Sequence, residues 1–78
     1  MTLRELRPGQ SARIEKVDAS QPGVVRLMVL GLTEGADVQF ENAAIGGDPM
    51  EVTVFGTAIS IRKQQASSFS VSPITTDD

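Results

Sequence analysis

Cysteine, histidine, tryptophan and tyrosine are all absent from this chain of 78 residues. Without cysteine there is no disulfide framework, and without cysteine or histidine the usual zinc cage has no ligands. A domain this small buries only about 60 to 65 % of the surface that its unfolded chain exposes, so one apolar core has to stabilise it. The three aromatic residues are all Phe, which leaves no Tyr or Trp as a stacking platform for bases. Basic residues are also scarce: 7 Lys and Arg stand against 10 Asp and Glu, for a net charge of −3. Nucleic-acid binders present a basic stripe that displaces counterions from phosphates, so no nucleic-acid partner is expected. The opening residues Met1 to Gly9 contain no apolar run of signal-peptide or membrane-span length. The expectation is a soluble, cytoplasmic protein with no direct membrane insertion.

Catalytic constellations are missing in the same way. The serines have no histidine to act as base, and Lys16 and Lys63 sit among polar neighbours that do not suggest burial. Neither Gly46-Gly47 nor the Gly31 and Gly35 pair is followed by the Lys-Ser/Thr of a phosphate loop. No enzyme activity, cofactor or metal site is expected. Asp48, in Gly47-Asp48-Pro49, is the one carboxylate in an unusual setting, and bonding to nearby backbone N–H groups explains it better than metal ligation. Glu41 and Glu51 read as outward strand residues. Met28 and Met50 read as core rather than as a soft-metal pair, which would suit Cu(I) and not Fe(II).

What is present is a small core laid out around Leu27 to Phe40. Val24 to Leu30 is a short apolar run that periodicity alone cannot assign to helix or strand. Its brackets favour a helix of about two and a half turns. Ser20 is suited to cap it and Pro22 to open it, while Gly31 stops it with Leu32 placed to touch Leu27. Arg26 is the only charge on this helix. Val24, Leu27 and Met28 can face inward together, leaving Val25 and Val29 as a second apolar strip with Leu30 beside it. That strip is either covered by the N-terminal leucines and the tail, or it is a contact surface. Val25, Met28, Val29 and Leu30 are the candidate partner-binding residues.

The rest reads as short strands. Leu3 and Leu6 fit one helical turn or a segment wrapped over the core, followed by a turn at Pro8-Gly9. Ser11 to Val17 alternates until Lys16 and Val17 break the pattern, which suggests a bulge or the end of the strand. Asp37 to Asn42 alternates cleanly with Val38 and Phe40 inward. Met50, Val52 and Val54 form the next strand, Gly56-Thr57 a tight turn, and Ala58 to Arg62 a strand with Ile59 and Ile61 on one face. Phe55 falls on the opposite side from Val52 and Val54, exposed or capping one end of the core. A helical or 3₁₀ turn around Ala66 precedes a last strand at Phe69 and Val71. Residues 1–71 form one domain in this reading, and 72–78 a polar, flexible tail. Five short strands with regular turns predict a mainly β fold, a small antiparallel barrel whose closure removes most of the sheet edge. Arg62-Lys63, with Arg13 near them, is the densest basic spot.

These residues match a known pattern. Leu6, Pro8, Gly9, Gln10, Ala12 and Ile14 in the first part, then Leu27-x-x-Leu30-Gly31-Leu32-x-x-Gly35-x-x-Val38, Gly47-Asp48-Pro49, Val54-x-Gly56, Ile61-Arg62 and Ala66 follow in order. In this the chain resembles the FeoA family of small bacterial proteins, and related domains at the C-terminus of some iron-dependent repressors. The resemblance runs from Leu3 to Val71. It implies an SH3-like barrel with a helix inserted after the first strand. It also implies a non-enzymatic accessory role in ferrous-iron uptake, through binding of the cytoplasmic part of FeoB, a transporter with a GTPase domain. The family's label of transition-metal binding comes with it. Two departures stand out: Val24-Val25-Arg26 replaces a more basic helix start, and Glu34 stands where proline is frequent. A contact made here through the helix would then be apolar rather than basic. The alternative is a free-standing SH3-like module for peptide or RNA, since fold alone does not fix function. Self-association through the same strip is a third reading.

Overall fold

The computed structural model describes residues 1–74. Five strands form one antiparallel sheet: β1 (Ser11–Val17), β2 (Asp37–Ala43), β3 (Met50–Val54), β4 (Thr57–Ile61) and β5 (Phe69–Ile74), in the order β4-β3-β2-β1-β5. Helix α1 (Val24–Val29) follows β1, helix α2 (Lys63–Ala66) precedes β5, and Leu3–Glu5 makes a 3₁₀ turn at the start. The mainly β class and the placing of both helices agree with the sequence.

Alternation builds the core. Ala12 and Ile14, Val38 and Phe40, Met50, Val52 and Val54, Ile59 and Ile61, and Phe69 and Val71 all point to one side of the sheet and are buried. Antiparallel register stacks them in rows, Phe40 opposite Val52 and Val52 opposite Ile59, Ala12 opposite Val38 and Val38 opposite Val54. Leu3, Leu6, Val24, Leu27, Leu32 and Ala66 cover that side from the turns and helices. No polar or charged residue is buried among those described. The register slips between Ile14 and Lys16, where the alternation of β1 breaks.

Five expectations change. The ladder does not close into a barrel: β4 and β5 remain its two edges. The β3–β4 turn is Phe55-Gly56 rather than Gly56-Thr57, so β4 begins one residue earlier. The expected tail starts too soon, because Ser72, Pro73 and Ile74 continue β5 opposite Arg13, Ala12 and Ser11; its remaining residues, 75–78, lie outside the described residues. Helix α1 is also shorter than expected, and its N-cap is Gly23, with no capping side chain. Ser20 instead belongs to a turn held by Asp18, whose Oδ1 accepts from the Ser20 amide at 3.1 Å and the Ser20 hydroxyl at 2.6 Å.

Candidate functional site

The C-terminus of α1 is fixed by hydrogen bonding. The Leu32 amide donates to the Leu27 carbonyl at 3.1 Å and the Gly31 amide to the Met28 carbonyl at 3.0 Å. This is the glycine-terminated pairing expected from Leu27, Gly31 and Leu32, and Gly31 takes a φ of 126° that other residues adopt only with strain. The turn locks the rotation of the helix. Val24 and Leu27 are buried, Met28 is half-buried against the core, and the opposite side faces solvent.

That side is apolar. Val25 is 57 % exposed, Val29 81 % and Leu30 49 %. Neither the N-terminal leucines, which are buried in the core, nor β5 covers them. Of the four sequence candidates, the structure brings Val25, Val29 and Leu30 to the surface and leaves Met28 at its rim.

Sequence reasoning left Phe55 undecided, and the structure assigns it to this patch. Phe55 is 77 % exposed. A Cβ placed on Gly31 would lie 3.4 Å from Phe55 Cδ2, so the ring sits against the glycine that ends α1. Phe55 has φ 50° and Gly56 φ 76°, and Val54 pairs with Thr57 across them. Both central residues of this two-residue turn are left-handed, as in a type I′ hairpin that favours Asn-Gly. A phenylalanine there holds an uncommon backbone conformation at the rim of an exposed apolar patch. The legible signal was its place just before Gly56, on the solvent side of an alternating strand.

The charged candidates separate. Arg13 pairs with Asp37 on the outer side of the sheet, Nε to Oδ1 at 2.9 Å, and the carboxylate raises the guanidinium's pKa still further. Lys63 turns toward Arg4 and Arg7, lining a cleft of about 230 Å³ with Pro8 and Gly47. Arg62 goes instead to a second cleft with Gln21, Pro22 and Gln65. The basic spot read from the sequence is therefore not one surface. The solvent side of the sheet carries Glu15, Asp37, Glu41 and Glu51 beside Arg13 and Lys16, and no aromatic residue. Glu41 accepts from the Thr53 hydroxyl at 2.9 Å, and Asn42 donates to Glu51 at 3.4 Å.

Asp48 Oδ1 accepts from the Lys63 amide at 3.2 Å, so it ties the β2–β3 connection to the first turn of α2. Its partner is a backbone N–H, as expected, though fifteen residues away rather than inside the hairpin. Met50 is buried in the core, and Met28 is half-buried against it. No group of three or more His, Cys, Asp or Glu that could hold a metal ion occurs among the described residues. No helix among them is long and apolar enough to cross a membrane.

A five-stranded antiparallel sheet, with a helix inserted after the first strand and a helical turn before the last, defines a small SH3-like domain. The FeoA domain model matches residues 1–73, and the chain belongs to the FeoA family. The FeoA protein of Chlorobium tepidum is 37 % identical, with a TM-score of 0.87 over 100 % of this chain and 74 % of its own. FeoA of Stenotrophomonas maltophilia, solved with zinc, is 32 % identical with a TM-score of 0.80, over 92 % of this chain and 89 % of its own. That protein is described as a prokaryotic SH3 domain protein and a candidate ferrous-iron transport activating factor. Iron(II) transport protein A of Clostridium thermocellum is 28 % identical with a TM-score of 0.87. The match covers 95 % of this chain but 46 % of that one, so this chain spans less than half of that protein's length. A search among proteins of curated function returned no match.

Proposed function

We propose that this chain is a non-enzymatic, cytoplasmic accessory protein of ferrous-iron uptake, docking on the cytoplasmic part of a FeoB-type transporter through Val25, Val29, Leu30 and Phe55. Family membership supports the setting, since a relative bears the description of a ferrous-iron transport activating factor. One observation carries the surface: a locked helix presents its valines to water and a strained turn brings a phenylalanine beside them. Covering a valine fully is worth about 1.5 to 3 kcal/mol, so even partial burial of three or four such side chains provides a useful share of a binding energy. The contact does not rely on a basic helix, because Arg26 is the only charge on α1.

The test is binding of the purified protein to the detergent-solubilised transporter, wild type against Val29→Asp. The variant should retain the wild-type melting temperature within about 2 °C, because its site is exposed, and lose at least about tenfold in affinity. Equal binding by a folded Val29→Asp protein would remove the helix from the interface. Salt separates the RNA-binding alternative: apolar docking should change little between low and physiological salt, whereas phosphate binding should weaken steeply.

A further inference from the structure

The two sheet edges are protected very differently. On β5, the Val71 amide donates to the Met1 carbonyl at 2.9 Å, Thr2 bridges to Ser70, and Pro73 removes one donor. On β4 there is no such device among the described residues. Its five residues, Thr57-Ala58-Ile59-Ser60-Ile61, contain no charge, no proline and no bulge, and pair with β3 without interruption. Soluble proteins rarely leave an edge of that composition open unless something pairs with it.

The register says which groups are open. In a two-residue hairpin, Thr57 exchanges hydrogen bonds with Val54, and alternate residues Ile59 and Ile61 do the same with Val52 and Met50. Ala58 and Ser60 therefore turn their N–H and C=O groups away from β3, and both residues are exposed. The next outward residue, Arg62, is already used: its amide donates to Gln65 Oε1 at 3.2 Å and its carbonyl accepts from the Ala66 amide at 2.9 Å.

We infer that β4 pairs antiparallel with β4 of a second copy of this chain, around a two-fold axis through Ile59. With only Ala58 and Ser60 offering free groups, this register makes Ala58 of each copy exchange both hydrogen bonds with Ser60 of the other. Four inter-chain bonds form and the two sheets join into one. Ile59 meets its own copy on the core side, and Ala58 meets Ser60 on the outer side. No like charges are opposed, because Arg62 falls beside the second copy's Phe55-Gly56 turn. A single strand pair is a small contact, below ~1,200 Å² in total, so a dissociation constant of about 0.1 to 1 mM is expected. The proposal is independent of the transporter contact.

The register can be tested by charge, since residue 58 faces residue 60 across the axis and like charges directly opposite destabilise a strand pair. Three proteins are compared by sedimentation equilibrium up to about 1 mM, the upper end of the expected dissociation constant: wild type, Ala58→Lys with Ser60→Lys, and Ala58→Glu with Ser60→Lys. All the replaced side chains are exposed, and circular dichroism checks that each variant folds. Wild type should associate weakly, the double lysine variant should stay monomeric, and the oppositely charged variant should associate at least about threefold more tightly than wild type. Amide hydrogen exchange gives a second readout: Ala58 and Ser60 should become protected as concentration rises. A wild type that stays monomeric, the two variants behaving alike, or association without protection of those two amides would each overturn the proposal. The last result would assign self-association to the α1 strip.

Discussion

The two sides of α1 are built from the same kind of residue and meet opposite fates. Val24 and Leu27 are buried, while Val25 and Val29 stand in water. Composition does not separate them; the hydrogen bonds that end the helix at Gly31 do, by fixing which side the core receives. An apolar residue in a small domain is thus evidence of core only once its rotation about the helix is fixed. On the outer side, Val25 and Val29 keep most of their surface in water, so they add far less to the monomer's stability than Val24 and Leu27.

The largest effect expected from this difference lies on the inner side. Leu27→Ala removes a buried side chain from a core with few others to close the gap, and should cost about 2 to 5 kcal/mol. Val29→Ala should change stability by less than about 0.5 kcal/mol, because its side chain is already solvated. Urea unfolding of both variants checks the contrast. Comparable losses would mean that the two sides share one packing unit.

A smaller effect of opposite sign is expected at Phe55. Phe55→Asn gives the hairpin the Asn-Gly pair that a type I′ turn favours, and should stabilise the fold by about 0.5 to 1 kcal/mol, net of the lost contact with Gly31. The same change should weaken docking on the transporter, as it removes the aromatic from the patch. Thermal melts and a binding titration on one sample report both. A variant less stable than wild type would show that the ring against Gly31 outweighs the backbone strain.

How much of this was legible follows from where the determinants lie. The Leu27, Gly31 and Leu32 helix ending was readable because it is a local pattern with a local cause, whereas the break at Lys16 fitted a bulge or a strand end until pairing with β5 decided for the bulge. The inward residues of the strands were readable for the same reason, since alternation depends only on the pleat. Closure of the sheet was not, because whether β4 pairs with β5 is a contact between distant strands that no local pattern encodes. Likewise the left-handed Phe55 overrides the local rule that would place Asn or Gly there. Of the candidate site, α1 supplied Val25, Val29 and Leu30 by periodicity. Phe55 joined them only through a tertiary contact with Gly31. The basic spot failed for the converse reason: neighbours in sequence, Arg62 and Lys63, diverge into different clefts at the start of α2.

The smallest effect concerns how the chain enters α1. Ser20 was suited to cap the helix, yet Asp18 organises the loop, and hydrogen bonds from the Ser20 hydroxyl and then its amide hold the Asp18 carboxyl below its ordinary pKa. Glu5 is lowered too, chiefly by the Thr2 amide, which donates to its Oε1 at 2.6 Å. In both cases the folded chain favours the ionised form. The associated stability is therefore fully present above the unfolded-state pKa and is lost as pH falls from the ordinary carboxylate range through the lowered folded value. Both groups are solvent-exposed, so the contribution is small. Asp18→Asn should lower the melting temperature slightly at neutral pH and flatten its fall between about pH 5 and pH 3, leaving the part due to Glu5. A variant with the full wild-type acid slope would show that the Asp18 turn is equally stable with its carboxyl neutral, and that α1 is oriented by its glycine-terminated end alone.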